Sequence, residues 1–210
     1  MIIAIDGPSA SGKSTTAKGV AAKLGITHVD TGAMYRAVTL GLKLSGISPD
    51  DDASVCQYLS EIELYFDANN KMHLNGSDVS YDIRSGDISS RVSAVSAIPE
   101  VREKMVITQR RIAGEQNCVL EGRDIGTVVF PNAEFKFFLI ADIDVRAKRR
   151  LIELEKMGET KSISELIEDI RRRDQLDSSR DHSPLIQAED AIPIDTSQLT
   201  INEQIKKIIN

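Results

Sequence analysis

Gly7-Pro8-Ser9-Ala10-Ser11-Gly12-Lys13-Ser14 matches the pattern G-x-x-x-x-G-K-[ST] without a gap. Before it, Ile2-Ile3-Ala4-Ile5 is a short apolar run ending at Asp6, which reads as a buried strand. After it, Lys13 to Leu24 places Ala17, Val20, Ala21 and Leu24 at helical spacing and is closed by Gly25. A strand, a curled loop of small residues and a helix start aim backbone N–H groups at one point. The helix N-terminus adds partial positive charge there. Lys13 supplies a full charge for outer phosphates, and the Ser14 hydroxyl suits Mg2+ with waters at the other octahedral positions.

Working outward, four further strand-like segments follow, at Thr27 to Asp30, Cys118 to Leu120, Phe135 to Ile140 and Ala191 to Asp195, with helical patterns between them. That alternation predicts an α/β fold, a five-stranded parallel sheet with flanking helices on both faces. Helices are expected from Glu100 to Ala113 after Pro99 and from Ile143 to about Glu155 after Asp142. Ser162-x-x-Glu165 and Thr200-x-x-Glu203 read as capping boxes. One region breaks the pattern. Asp50 to Ser90 holds nine acidic and two basic residues. Ile62, Leu64 and Phe66 alternate with polar residues, Asn69-Asn70 turns the chain, and Met72 and Leu74 alternate again. This is an antiparallel hairpin, with Asn75-Gly76 as a further turn. The expected organisation is a core over 1–36 and 101–210 and an inserted subdomain over 37–100. Between two helices, Met157 to Lys161 reads as a short lid within about 150–165.

The 210 residues carry 26 Lys plus Arg against 32 Asp plus Glu, a net charge of −6, which disfavours nucleic acid as a general partner. Two cysteines make no disulfide framework or Cys-x-x-Cys site, and the three histidines share no metal-ligand spacing. No apolar run approaches a membrane span and the start does not resemble a signal peptide, so a cytoplasmic protein, without a membrane partner, is expected. No heptad seam asks for a partner chain, and a monomer is expected. Asn-Lys-x-Asp and Asp-x-x-Gly are both absent, which argues against a GTPase switch. A compact phosphate-loop chain with an acidic insert and an Arg-rich segment suggests a small-molecule kinase.

Three clusters are candidates for reading an acceptor. Thr31 to Arg36 follows the second strand, and Arg123-Asp124 follows the third core strand between glycines. Carboxyl ends of parallel strands face the ligand crevice. In Arg171 to Arg180, helical spacing makes Arg173 and Asp177 neighbours and sets Arg180 on roughly the same side. Each has a plainer alternative: an N-capping Thr31 with Arg36 in solvent, a surface ion pair, and a solvated basic helix.

Taken together, Gly7-Pro-x-x-x-x-Gly-Lys-Ser, Asp30-Thr-Gly-Ala-Met-Tyr-Arg36, Gly122-Arg-Asp-Ile-Gly-Thr-Val-Val-Phe-Pro131 and Arg173-Asp-x-x-Asp-x-x-Arg180 resemble the bacterial cytidylate kinases over nearly the whole chain. The resemblance implies a P-loop nucleoside-monophosphate kinase moving the γ-phosphoryl group of ATP to CMP or dCMP, with Mg2+. It implies ATP binding by Gly7, Pro8, Ser9, Ala10, Ser11, Gly12, Lys13, Ser14 and Thr15. It implies cytosine contacts from Thr31, Arg102 and Asp124, phosphate contacts from Arg36, Arg123 and Arg180, and sugar contacts from Arg173 and Asp177. Lys13, Arg123 and Arg180 would stabilise the transferring group. A kinase for another acceptor such as UMP or shikimate, and a non-catalytic nucleotide sensor, remain the competing readings.

Overall fold

A computed structural model describes residues 1–210. Its elements, in chain order, are β1 (Ile2–Asp6), α1 (Lys13–Leu24), β2 (Thr27–Asp30), α2 (Thr31–Leu44), α3 (Asp52–Glu61), β3 (Leu64–Phe66), β4 (Met72–Leu74), β5 (Ser77–Asp78), α4 (Gly86–Val95), α5 (Pro99–Ala113), β6 (Cys118–Gly122), β7 (Phe135–Ile140), α6 (Ile143–Glu155), α7 (Ile163–Ser179), β8 (Ile192–Asp195) and α8 (Ile201–Ile209). They fall into two compact units: Met1–Asp30 with Glu115–Asn210, and Thr31–Gly114.

In the larger unit the five strands all run parallel in the order β2-β6-β1-β7-β8. β1 lies at the centre and pairs Asp6 with Gly122 on one side and with Phe138 on the other. Buried on both faces, the central strand β1 needs no polar alternation, which is why Ile2-Ile3-Ala4-Ile5 reads as one apolar run. Ile3, Ile5, Val20, Val119, Phe137, Leu139, Ile194, Ile205 and Ile208 form one core cluster. α1 and α8 pack closely in it. A Cβ on Gly19 would fall 2.2 Å from Ile205 Cδ1. α6 and α7 bury Ala147, Leu154, Leu166 and Ile170 against each other. Both capping boxes are complete. The Ser162 and Thr200 hydroxyls each accept from the third helical N–H, and Glu165 and Glu203 accept from the cap residue's own N–H.

The smaller unit is built around α2, whose Met34, Ala37, Val38 and Leu42 are fully enclosed. The acidic stretch contains the expected hairpin: β3 and β4 are antiparallel, paired Leu64 to Leu74 and Phe66 to Met72. Asn70 takes φ 59° in the first turn. Asn75-Gly76 turns the chain into β5, so the sheet has three strands. The unit also holds two helices not read from the sequence, α3 packed on α5 and α4 packed on α2. α3 is capped by Asp51, which accepts the Ser54 N–H, and α4 by Ser85, which accepts the Ile88 N–H. Their buried faces are narrow, Val55 and Leu59 in one and Ile88, Val92 and Val95 in the other, among many polar residues. Such short stripes carry little periodic signal.

Candidate active site

The phosphate loop leaves the carboxyl end of β1 and enters α1. Its tight curl is set by packing as well as by sequence. Gly7 has φ 148°, and a Cβ there would lie 2.1 Å from the Leu139 carbonyl oxygen of β7. Ala10 is left-handed at φ 57°. The loop is tied down from the far end of the chain. Thr196, just past β8, donates its hydroxyl to Ser11 O at 2.8 Å, and Arg149 of α6 holds Thr196 O at 2.8 Å. Thr16 donates to Gln204 Oε1 of α8 at 2.6 Å. Arg146 of α6 donates to Ser9 O at 3.2 Å and pairs with Asp174 of α7.

Lys13 is only 6% exposed. Its Nζ donates back to Pro8 O at 2.6 Å and to Ser11 Oγ at 3.3 Å, over its own loop. Burial pushes its pKa well below the ordinary lysine value, and Arg123 and Arg173 press the same way while Glu121 and Asp6 oppose them. Two arginines near a buried ammonium bring like charges together beside the loop, a repulsion that an anionic ligand would relieve.

Arg123 and Asp177 meet in this unit, with Nε to Oδ2 at 2.8 Å. Arg180 Nη1 lies 4.0 Å from the other Asp177 oxygen, and its Nε donates to Ser183 O. Burial raises the Asp177 pKa, but Arg123, Arg173 and Arg180 outweigh it and hold the carboxyl below its ordinary value. The fold therefore gathers Lys13, Arg123, Arg173, Asp177 and Arg180, drawn from three separated stretches of sequence. Asp124 is buried immediately before a turn of π-helix, Ile125–Val129. In the smaller unit, Thr31 opens α2 and is buried. Tyr35 lies one turn further along the same face. Arg102 of α5 is buried over the Tyr35 ring, 5.4 Å from its centroid, and donates to Ser96 O at 3.2 Å. Arg36 is partly buried on α2.

Ser14, in the first turn of α1, donates its hydroxyl to Glu121 Oε2 at 2.5 Å, and His28 Nε2 lies 3.0 Å from the other Glu121 oxygen. No group of three or more His, Cys, Asp or Glu side chains is placed to hold a metal ion. The donor set fits Mg2+ taken chiefly through substrate oxygens and water, with one protein hydroxyl, rather than a protein-only cage.

Several residues of this site went unread in the sequence. Asp6 accepts two backbone N–H groups, Glu121 orients Ser14, and Thr196, Gln204, Arg146 and Asp174 brace the loop. Asp6 and Glu121 carried a legible signal. A carboxylate at the carboxyl end of a buried parallel strand must have partners.

The family model for cytidylate kinase matches residues 3–210. The chain belongs to the cytidylate kinase family. A cytidylate kinase of Caldanaerobacter subterraneus subsp. tengcongensis is 48% identical over 98% of this chain and 92% of its own length. One from Geobacter sulfurreducens is 46% identical over 99% and 91%. Membership of this family makes the protein an enzyme of the nucleoside-monophosphate kinase type. Among solved structures, an uncharacterized protein from Eubacterium ventriosum superposes with a TM-score of 0.56 at 14% identity, over 100% of this chain and 96% of that one. That likeness shows the fold alone. No helix of this kinase is long and apolar enough to cross a membrane.

Proposed function

We propose that the protein transfers the γ-phosphoryl group of ATP directly to CMP or dCMP, giving ADP and CDP or dCDP without a covalent intermediate. The observation that carries this reading is the convergence of Lys13, Arg123 and Arg173 on one another beside the phosphate loop, with Asp177 and Arg180 attached. Residues 7–15 hold the ATP phosphates, whose oxygens replace Pro8 O and Ser11 Oγ as partners of the Lys13 ammonium. Mg2+ would be held through the Ser14 hydroxyl and would supply further charge compensation for the phosphates.

The acceptor phosphate is its own nucleophile. A phosphate monoester has a second pKa near ~6 and is largely dianionic at neutral pH, so no general base is needed. The difficulty is the approach of two anions. Arg123 and Arg180 offset that repulsion and stabilise the charge spread over the transferring group. We assign the unit Thr31–Gly114, which contains the insert expected over 37–100, to the monophosphate. In that unit we assign Thr31 and Arg102 to the cytosine and Arg36 to phosphate; in the larger unit we assign Asp124 to the cytosine, and Arg173 and Asp177 to the sugar hydroxyls. The turn at Met157-Gly158 between α6 and α7 serves as a short lid against water.

The test is ADP release from ATP with Mg2+ against CMP, dCMP, UMP, AMP and shikimate separately. Fast turnover with CMP and dCMP alone is expected. Sites built to hydrogen-bond a substrate reject analogues lacking the partner by about 10⁴–10⁵. Preference for another acceptor refutes the base-reading set, and ATP binding without turnover refutes the kinase reading.

A further inference from the structure

Asp6 is the last residue of β1, one position ahead of Gly7, and it is 5% exposed. Its Oδ1 accepts the Ile125 N–H at 2.9 Å and its Oδ2 accepts the Gly126 N–H at 2.8 Å. In the parallel register Asp6 stands opposite Gly122. One carboxylate at the root of the phosphate loop thus grips the chain immediately after Arg123 and Asp124. As placed here, each N–H takes a different oxygen of the one side chain. A carboxylate supplies two such acceptors and an amide only one. The arrangement is costly, since burial pushes the Asp6 pKa up to about 6 even with both hydrogen bonds, and nearby Asp124 adds to the rise.

We propose that Asp6 is a positioning residue for the phosphoryl acceptor: it fixes the Ile125–Gly126 backbone so that Arg123 and Asp124 present their side chains in the orientation the acceptor requires. This rests on the kinase reading above. A mere tie between strands would not need a charge in a dry interior, where it loses solvation. Charge-assisted hydrogen bonds to backbone N–H groups are stronger and more directional than neutral ones. The charged groups facing Asp6 are Asp124 from the same loop and Lys13 from α1. Lys136 of β7 has its stem beside Gly126, but its Nζ is spent on Pro131 O and Asp190.

The test is Asp6→Asn, which keeps the shape and removes one acceptor oxygen. Steady-state kinetics with CMP, equilibrium binding of ATP and amide NMR of Ile125 and Gly126 are read together. The expected result is a KM for CMP raised about tenfold or more with kcat lowered, since one hydrogen bond to a charged group is lost. The ATP dissociation constant should stay within about twofold, and the Ile125 and Gly126 amide signals should move. An unchanged KM and kcat, or equal weakening of ATP and CMP, overturns the proposal. An active wild type with an unaffected variant refutes the role of Asp6. A wild type inactive toward CMP refutes the kinase reading instead.

Should the variant not fold, the wild-type protein carries the test. From about pH 5 to about pH 8, spanning the Asp6 titration, the Ile125 and Gly126 amide shifts and the dissociation constant of cytidine should change together. Cytidine has no phosphate to titrate in that range. A flat cytidine constant beneath moving amide shifts overturns the proposal.

Discussion

Replacing Asp6 by Asn should make the protein more stable relative to wild type as the pH rises. The Asp6 carboxyl is buried, and its pKa climbs from the ordinary 3.8 to about 6 in the folded chain. The native state therefore holds this proton more tightly than the unfolded chain does. The stabilising contribution is fully present below pH 3.8 and is lost as pH rises through about 6. At 1.36 kcal/mol for each pH unit, that gap corresponds to ~3 kcal/mol by pH 8. Between about pH 4.5 and about pH 8 the change is ~2 kcal/mol, because the unfolded chain is already largely ionised at the lower value. Asn does not titrate. Carboxylates that do not interact with Asp6 are common to both proteins and cancel in the comparison. Urea unfolding of both proteins at the two pH values measures the difference. The variant-minus-wild-type stability should increase by ~2 kcal/mol from the lower pH to the higher. A difference that does not change with pH would refute the account of Asp6 as an ionised, desolvated carboxylate.

Arg123→Ala and Arg180→Ala should each lower kcat by roughly 10³ with little change in KM for ATP, read in the coupled ADP assay. Unchanged turnover would remove that residue from the group acting on the transferring phosphoryl. Gly7→Ala puts a Cβ 2.1 Å from the Leu139 carbonyl oxygen at φ 148°, against strand backbone rather than a side chain that could swing away. ATP binding should be lost in calorimetric titration, and an intact ATP constant would contradict the loop geometry. Gly19→Ala meets Ile205 Cδ1 at 2.2 Å and should cost about 1–3 kcal/mol in urea unfolding by overpacking. Ile205→Ala in the same chain should recover part of that loss, and strict additivity would show that the two residues are not in contact.

The parts of this molecule legible in one dimension are those whose signals are local. β1, the phosphate loop and α1 occupy one contiguous stretch, and each states its own geometry through apolar runs, small residues and a closing glycine. The hairpin of the acidic stretch was readable because its turns demand Asn and Gly, and Asn70 and Asn75 do adopt positive φ. α3 and α4 were not, since each buries only two or three apolar side chains and rests on a neighbouring helix, α5 for α3 and α2 for α4. Arg123, Asp177 and Arg180 could be nominated from residue type and spacing. That Arg123 pairs with Asp177, 54 positions away, could not.

The sequence alone determined the phosphate loop, the parallel α/β plan and the family, because these rest on spacing within short segments and on periodicity that a single chain displays. Only the tertiary structure decided what braces that loop and what charges it. Thr196 and Gln204 reach it from 185 and 188 positions away. Asp6 becomes a buried carboxylate only because Ile125 and Gly126 come to rest beside β1. Burial, and with it the pKa of Lys13 and Asp6, belongs to no residue by itself. It arises when strands distant in sequence pair side by side and exclude water between them.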